Sequence, residues 1–380
     1  MRGMTDVAPA AAALAARYRA VRRFTERLCD PLEPDDFLLQ PMPDASPVKW
    51  HLAHTSWFFE TFLLTPHAPG YKVFHPRFGH LFNSYYEAVG SRHPRPLRGL
   101  LSRPTVPEVF AYRAHVDAAM SDWLDAHGDD LPADLRGVVE LGLNHEQQHQ
   151  ELVLTDLKNA FWRNPLFPAS TTAPAASGVA EPAVWVEFPG GLCDVGHAGP
   201  AFAFDNEGPR HRVFLRPFAL ASRPVTVGEV REFVADGGYR RPELWLSDGW
   251  AAKNLHGWDA PLYWLDDGDA FTLGGVRSLS DDEPAAHLSF YEADAFARWA
   301  GARLPTEQEW EVAASGCDPA AGNFADDGAF HPRAGGDRPV GRVEARRDPP
   351  REGNALENPA PRGRSAAGLE DSTRPTRYYI

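Results

Sequence analysis

A chain of 380 residues, 43% hydrophobic and 24% charged, with 11 Trp and 22 Phe, carries enough apolar material for two or three domains with buried cores. Its net charge of −14 and pI near 5.5 exclude nucleic acid as the main partner, because gripping phosphates needs a basic surface. Three scattered cysteines, Cys29, Cys193 and Cys317, form no CxxC, which argues against a disulfide scaffold or a Cys-based zinc site and fits a reducing cytosol.

The opening "MRGMTDVAPAAAALAARYRA" is only weakly apolar and passes into the amphipathic "RYRAVRRFTERL". It is read as the start of a helix rather than a signal peptide. No stretch approaches the roughly 20 apolar residues of a membrane span, so a cytoplasmic chain without a membrane partner is expected. The sequence leaves the oligomeric state open.

Residues 8–164 read as four long helices with apolar stripes, an antiparallel bundle. "AAALAARYRAVRRFTERL" is the first. "SPVKWHLAHTSWFFETFLL" is the second, with Ser46 as its N-cap and Pro47 in its first turn. "TVPEVFAYRAHVDAAMSDWLDAH" follows, with Thr105 and Glu108 spaced as a capping box. "ADLRGVVELGLNHEQQHQELVLTDLKNAFW" is the fourth. The long connection "HPRFGHLFNSYYEAVGSRHPRPLRGLLSRP" has the length of a functional loop. Residues 165–182 have linker composition. Residues 183–339 change to short strand-like runs ("VWVEFPGG", "HRVFLRPFALASRPVT", "GVRSL") and two helices ("VTVGEVREFVADGG", "SFYEADAFARWAG"). They make an irregular second domain, and the fold class is α+β. Residues 340–380 show neither aromatic core nor period and read as a disordered or aberrant tail.

Within the fourth helix, "NHEQQHQE" contains H-E-x-x-H, a zinc-peptidase pattern. His145 and His149, at i and i+4, reach one ion from one helix face, and Leu141, Leu152 and Val138 are expected on the same inward stripe. The plainer alternative is a hydrogen-bonded surface pair. Glu146 stands about 100° round the helix and need not face the ion. No downstream third ligand follows in helical register. The second helix offers His51 or His54 instead, and spacing does not choose between them. Three neutral imidazoles would leave open positions for substrate, O₂ or water.

"PMPDASPVKWHLAHTSWFFETFLL", "FNSYYEAVG" and "LGLNHEQQHQELVLTDLKNAF" resemble the DinB-like helical domain of the ergothioneine-biosynthesis sulfoxide synthases. "RPVTVGEVREFVADGGYRRPELWLSDGW" and "HLSFYEADAFARWAGARLPTEQEWEVAA" resemble their second domain, of the formylglycine-generating-enzyme fold related to C-type lectins. The resemblance implies a non-haem Fe(II) enzyme that uses O₂ to join a cysteine-type thiol, cysteine or γ-glutamylcysteine, to the imidazole C2 of hercynine. By the same resemblance the metal ligands are His54, His145 and His149. Gln148 meets the hercynine ammonium end, and Arg92 and Arg95 hold the thiol substrate's carboxylate. Glu307, Glu309 and Trp310 in "RLPTEQEWE" are expected to anchor the fold, and "DGGYRRPELWLSDGW" to border a cleft. The family continues past the position of Pro339 with a "GDVWEWT"-like segment that this chain lacks, so no catalytic residue is assigned and less than full activity is expected. Two alternatives carry the same three histidines. One is a selenoneine synthase making a C–Se bond, the other a DinB-type metal-dependent hydrolase or thiol transferase.

Overall fold

The structure, a computed structural model, describes residues 10–84, 86, 90–172, 178–265, 268–317, 322–334 and 354–355. It divides into two compact units, one running to Thr171 with Pro200–Phe204, the other holding Thr172–Gly199 and the chain from Asp205.

Four long helices build the first unit: α1 (Ala10–Arg27), α2 (Val48–Phe59), α3 (Val106–His127) and α4 (Ala133–Trp162). Every residue of α2 is buried, which makes it the central helix; it packs on α3 and α4, and α1 packs on the same two. The expected cap of α2 is corrected. Pro47 occupies the N-cap without a side-chain bond, and Ser46 turns its N–H to Asp156 instead. The capping box of α3 forms as expected: Thr105 Oγ1 accepts from the Glu108 N–H (3.3 Å) and Glu108 Oε2 from the Thr105 N–H (2.7 Å). After Phe59 the helix loosens into a π turn, Glu60–Leu64. There the buried Glu60 carboxylate accepts from the Tyr71 and Tyr112 hydroxyls, both at 2.7 Å.

Short antiparallel pairs dominate the second unit. β1 (Trp185–Phe188) pairs with β4 (Phe218–Ala221), β2 (Gly191–Val195) with β3 (His211–Leu215), and β5 (Asp269–Thr272) with β6 (Gly275–Ser278). The two expected helices appear as α5 (Val227–Ala235) and α7 (Phe290–Trp299), joined by α6 (Ser247–His256) and α8 (Glu307–Ala314), which the sequence reading did not separate from loops. In the loop "DGGYRRPELWLSDGW", Tyr239, Leu244 and Trp245 are buried with Phe233 and Phe296 in the core. Glu309 is buried, accepting from Arg303 and from the Thr306 N–H, whereas Glu307 and Trp310 are exposed. Of the 340–380 stretch only Asn354–Ala355 lies within the described residues, pairing in parallel with β4. The rest of that expectation falls outside them.

Candidate metal centre

One glycine sets the distance between the helices that carry the histidines. A Cβ at Gly142, one turn before His145, would stand 2.6 Å from the Phe59 ring and 2.7 Å from that of Phe58. Only a bare backbone lets α4 come this close to α2, and His54 then faces His145 and His149.

Three Nε2 atoms converge there. His54 Nε2 lies 3.2 Å from His145 Nε2, and His149 Nε2 lies 3.1 Å from His145 Nε2. Ligand atoms of the three residues all fall within 4.8 Å of one another. Nitrogens about 2.1 Å from one ion would be about 3.0 Å apart at right angles and about 3.4 Å apart in a tetrahedron, so the observed spacing fits a shared metal. The donor set, three imidazoles and no carboxylate, suits zinc, copper, iron or nickel.

Each ring is oriented from behind. His54 Nδ1 is 2.5 Å from the Phe82 carbonyl oxygen, so Nδ1–H donates and the Nε2 lone pair faces the centre. Trp50 and Trp57 both stack on His54, with centroids 4.5 Å and 5.5 Å away and ring planes 14° apart in both cases. His149 Nδ1 is 2.8 Å from His51 Nδ1, so His51, the other candidate, stands behind His149 and outside the group of three converging imidazoles. Among the described residues, His145 Nδ1 has no hydrogen-bond partner. Burial pushes His54 and His149 well below the usual imidazole range and His145 down to about 4, so all three are neutral near pH 7, the form that binds metals.

The H-E-x-x-H glutamate faces the other way. Glu146 is fully buried beneath α1 and α3. Oε2 accepts from Arg22 Nη1 (2.8 Å), and Oε1 from Arg113 Nη2 and Thr25 Oγ1 (2.6 Å each). Burial alone would raise this carboxyl, but Arg113 and Arg22 hold it down at about 2. A carboxylate whose two oxygens are taken up by Arg22, Arg113 and Thr25 is not placed to act as a base beside the three imidazoles, so the peptidase reading fails. The inward stripe of α4 is also corrected. It runs Val139, Leu143, Glu146, Gln150, Val153 and Leu157, whereas Leu141 (38% exposed) and Leu152 (45%) face outward. His145 and His149 flank that line, His145 half-buried and His149 buried.

Of the expected substrate residues, Gln148 is exposed, about 100° round α4 from His149. Arg92 is exposed and donates to the Ser84 carbonyl (2.7 Å), and half-buried Arg95 donates to the Asp44 carbonyl (3.3 Å). The sequence reading missed Arg98. This buried guanidinium lies 3.4 Å from the centroid of the Trp50 ring and donates to Ser46 Oγ (2.9 Å) and Ser84 Oγ (3.3 Å). Its place three residues beyond Arg95, in "RPLR", was the available signal.

The DinB superfamily profile matches residues 17–153, the stretch that holds all three histidines, and the profile of the sulfatase-modifying factor enzyme 1-like domain matches residues 170–365. The hercynine oxygenase of Mycolicibacterium thermoresistibile is 37% identical over 324 residues, 84% of this chain and 70% of that protein. That of Mycolicibacterium smegmatis is 37% identical over 307 residues, 78% and 68% of the two chains. The chain belongs to the hercynine oxygenase family. It is accordingly an oxidoreductase, with a DinB domain followed by a formylglycine-generating-enzyme-like domain, as the motifs implied. The formylglycine-generating enzyme of Streptomyces coelicolor is 33% identical over 171 residues, 39% of this chain and 54% of that protein. Nothing in these relatives favours the selenium or hydrolase alternatives. Among the described residues no helix is long and apolar enough to cross a membrane.

Proposed function

We propose that this chain is an Fe(II)- and O₂-dependent sulfoxide synthase that joins the sulfur of cysteine or γ-glutamylcysteine to C2 of the hercynine imidazole. The reaction balances. C2–H and S–H bonds are lost and C–S and S=O bonds are made. The substrates give up four electrons to O₂, one oxygen atom enters the sulfoxide, and the other leaves as water. The observation that carries this reading is the convergence of His54, His145 and His149 within 4.8 Å, in a chain of hercynine oxygenase kinship. Iron(II) held by uncharged ligands keeps its full positive charge and supplies the one-electron chemistry that O₂ needs.

The protein's own groups do the rest. His54, braced by the Phe82 carbonyl and two indoles, keeps a fixed ring plane. Arg98 adds positive charge felt at both His54 and His149, a field that favours an anionic thiolate over a thiol. In this reading Arg92 and Arg95 take the carboxylate of the thiol substrate and Gln148 the ammonium end of hercynine. The test loads the chain with Fe(II) anaerobically, adds hercynine with each thiol, admits O₂ and looks for sulfoxide by mass spectrometry. Sulfoxide formation that His145→Ala abolishes is expected. Stoichiometric zinc in the purified chain, with O₂-independent turnover and no sulfoxide, would overturn the assignment. Arg92→Ala and Arg95→Ala should each raise KM for the thiol about tenfold or more and leave that for hercynine unchanged.

A further inference from the structure

Behind His149 runs a line of side chains that no metal requires for coordination. His51, one turn into α2 and 3% exposed, presents Nδ1 to His149 Nδ1 at 2.8 Å and Nε2 to Asp156 Oδ2 at 3.3 Å. The same Asp156 oxygen accepts the Ser46 N–H at 2.9 Å, fixing the carboxylate at the start of α2. Asp156 lies seven residues after His149 on α4, two turns along the same face. His54 and His145 have nothing equivalent. The first is backed by a neutral backbone carbonyl, and the second has no partner at Nδ1 among the described residues.

We propose that Asp156 and His51 are positioning residues for the metal ligand His149, an inference that rests on the metal-binding reading above. The hydrogens leave only one arrangement. If His149 gives its Nε2 lone pair to a metal, its ring hydrogen is on Nδ1 and points at His51. His51 Nδ1 must then accept, so its own ring hydrogen is on Nε2 and donates to Asp156. A fixed anion thereby sets two tautomers in series and aims one lone pair. A carboxylate–histidine–metal relay usually has one imidazole between anion and ion; here a second imidazole is inserted, with the ligand itself at the end of the chain. Because only His149 is served in this way, the three ligands are unequal, and His149 is the one whose orientation depends on charge outside the coordination sphere.

The test uses the full chain with its metal removed and reloaded. Co(II) titration followed by visible absorption should show binding about 10–100-fold weaker in His51→Ala and about 10-fold weaker in Asp156→Asn. Asparagine keeps the one oxygen that Ser46 and His51 share and removes the charge, an NH2 replacing the other oxygen, so it decides the matter should His51→Ala fail to fold. Ring ¹⁵N shifts of the Zn(II)-loaded chain should place the His51 hydrogen on Nε2 alone, a signature that a merely space-filling histidine need not show. A hydrogen on His51 Nδ1, or unchanged Co(II) affinity in Asp156→Asn, overturns the inference and leaves the metal site standing. Absence of Co(II) binding by the unaltered chain overturns both.

Discussion

Replacing Glu146 with Ala removes the carboxylate shared by two buried guanidinium groups, leaving Arg22 only Asp117 and Arg113 only Glu26 as ionic partners. Removing one partner of a buried ion pair costs about 3–5 kcal/mol, and urea unfolding of Glu146→Ala should show a loss of that size. Loss of turnover with stability intact, as for a catalytic base, is the contrary result. In the second unit Glu283 is buried against Arg277 and His331. Burial opposes its ionisation, but the Arg277 hydrogen bonds prevail and bring the carboxyl from 4.5 to about 2. Its folded value lies below its unfolded one, so its contribution to stability is complete above about pH 4.5 and is lost as the pH falls toward about 2. Glu283→Gln should flatten the acid limb of stability across that window in a pH series of denaturant midpoints. The His145–His149 spacing was readable because periodicity puts i and i+4 together in any helix. Spacing did not say whether His51 or His54 joins them, since i and i+3 share a face; the motif resemblance pointed to His54, and the Phe82 carbonyl, at the end of the short helix Phe78–Phe82, sets that ring's direction. Nor could the sequence show Glu146 as a core residue, because its partners stand 124 and 33 positions away.

Helix packing at the site turns on a hydrogen atom. Gly142→Ala would drive a methyl group into the rings of Phe58 and Phe59 and push α4 from α2. Overpacking of this kind costs about 1–3 kcal/mol, and here the displacement should also weaken metal binding. Thermal denaturation and Co(II) titration of one variant check both; an unshifted midpoint would refute the close-approach argument. In the second unit α7 begins with Ser289, whose Oγ accepts from the Glu292 N–H at 3.2 Å while Glu292 answers to the Ser289 N–H at 2.7 Å. Ser289→Ala should cost about 1 kcal/mol by denaturant unfolding. The capping box was read from the sequence at Thr105–Glu108 alone, although the same spacing heads α5, α7 and α8 at Thr226, Ser289 and Thr306. At α6 and α8 the reading failed for physical reasons. Leu246, the N-cap of α6, carries no capping side chain, and the eight residues of α8 are too few to establish a period. On α4 the stripe was placed one residue off because leucines at 141 and 152 drew it outward, while the polar residues Glu146 and Gln150 occupy the core line.

At the scale of the molecule, all four helices of the first unit meet at one ionic cluster. Arg22 of α1 reaches Glu146 of α4, Ser56 of α2 and Asp117 of α3, and Arg113 of α3 closes on the same Glu146. The two-domain order was legible from long motifs, and the relatives' coverage agrees with it. This ionic knot was not, because it needs four helices assembled before any one of its charges is paired. Its effect extends to the residue next in sequence, His145. The helix that presents His145 and His149 is locked by bonds independent of any ion, so the domain should fold without a metal. Treatment with a chelator should leave the far-ultraviolet circular dichroism unchanged. Reloading, followed by calorimetry at several temperatures, should show a heat-capacity change near zero, whereas a zinc finger folds around its ion and registers a large negative one.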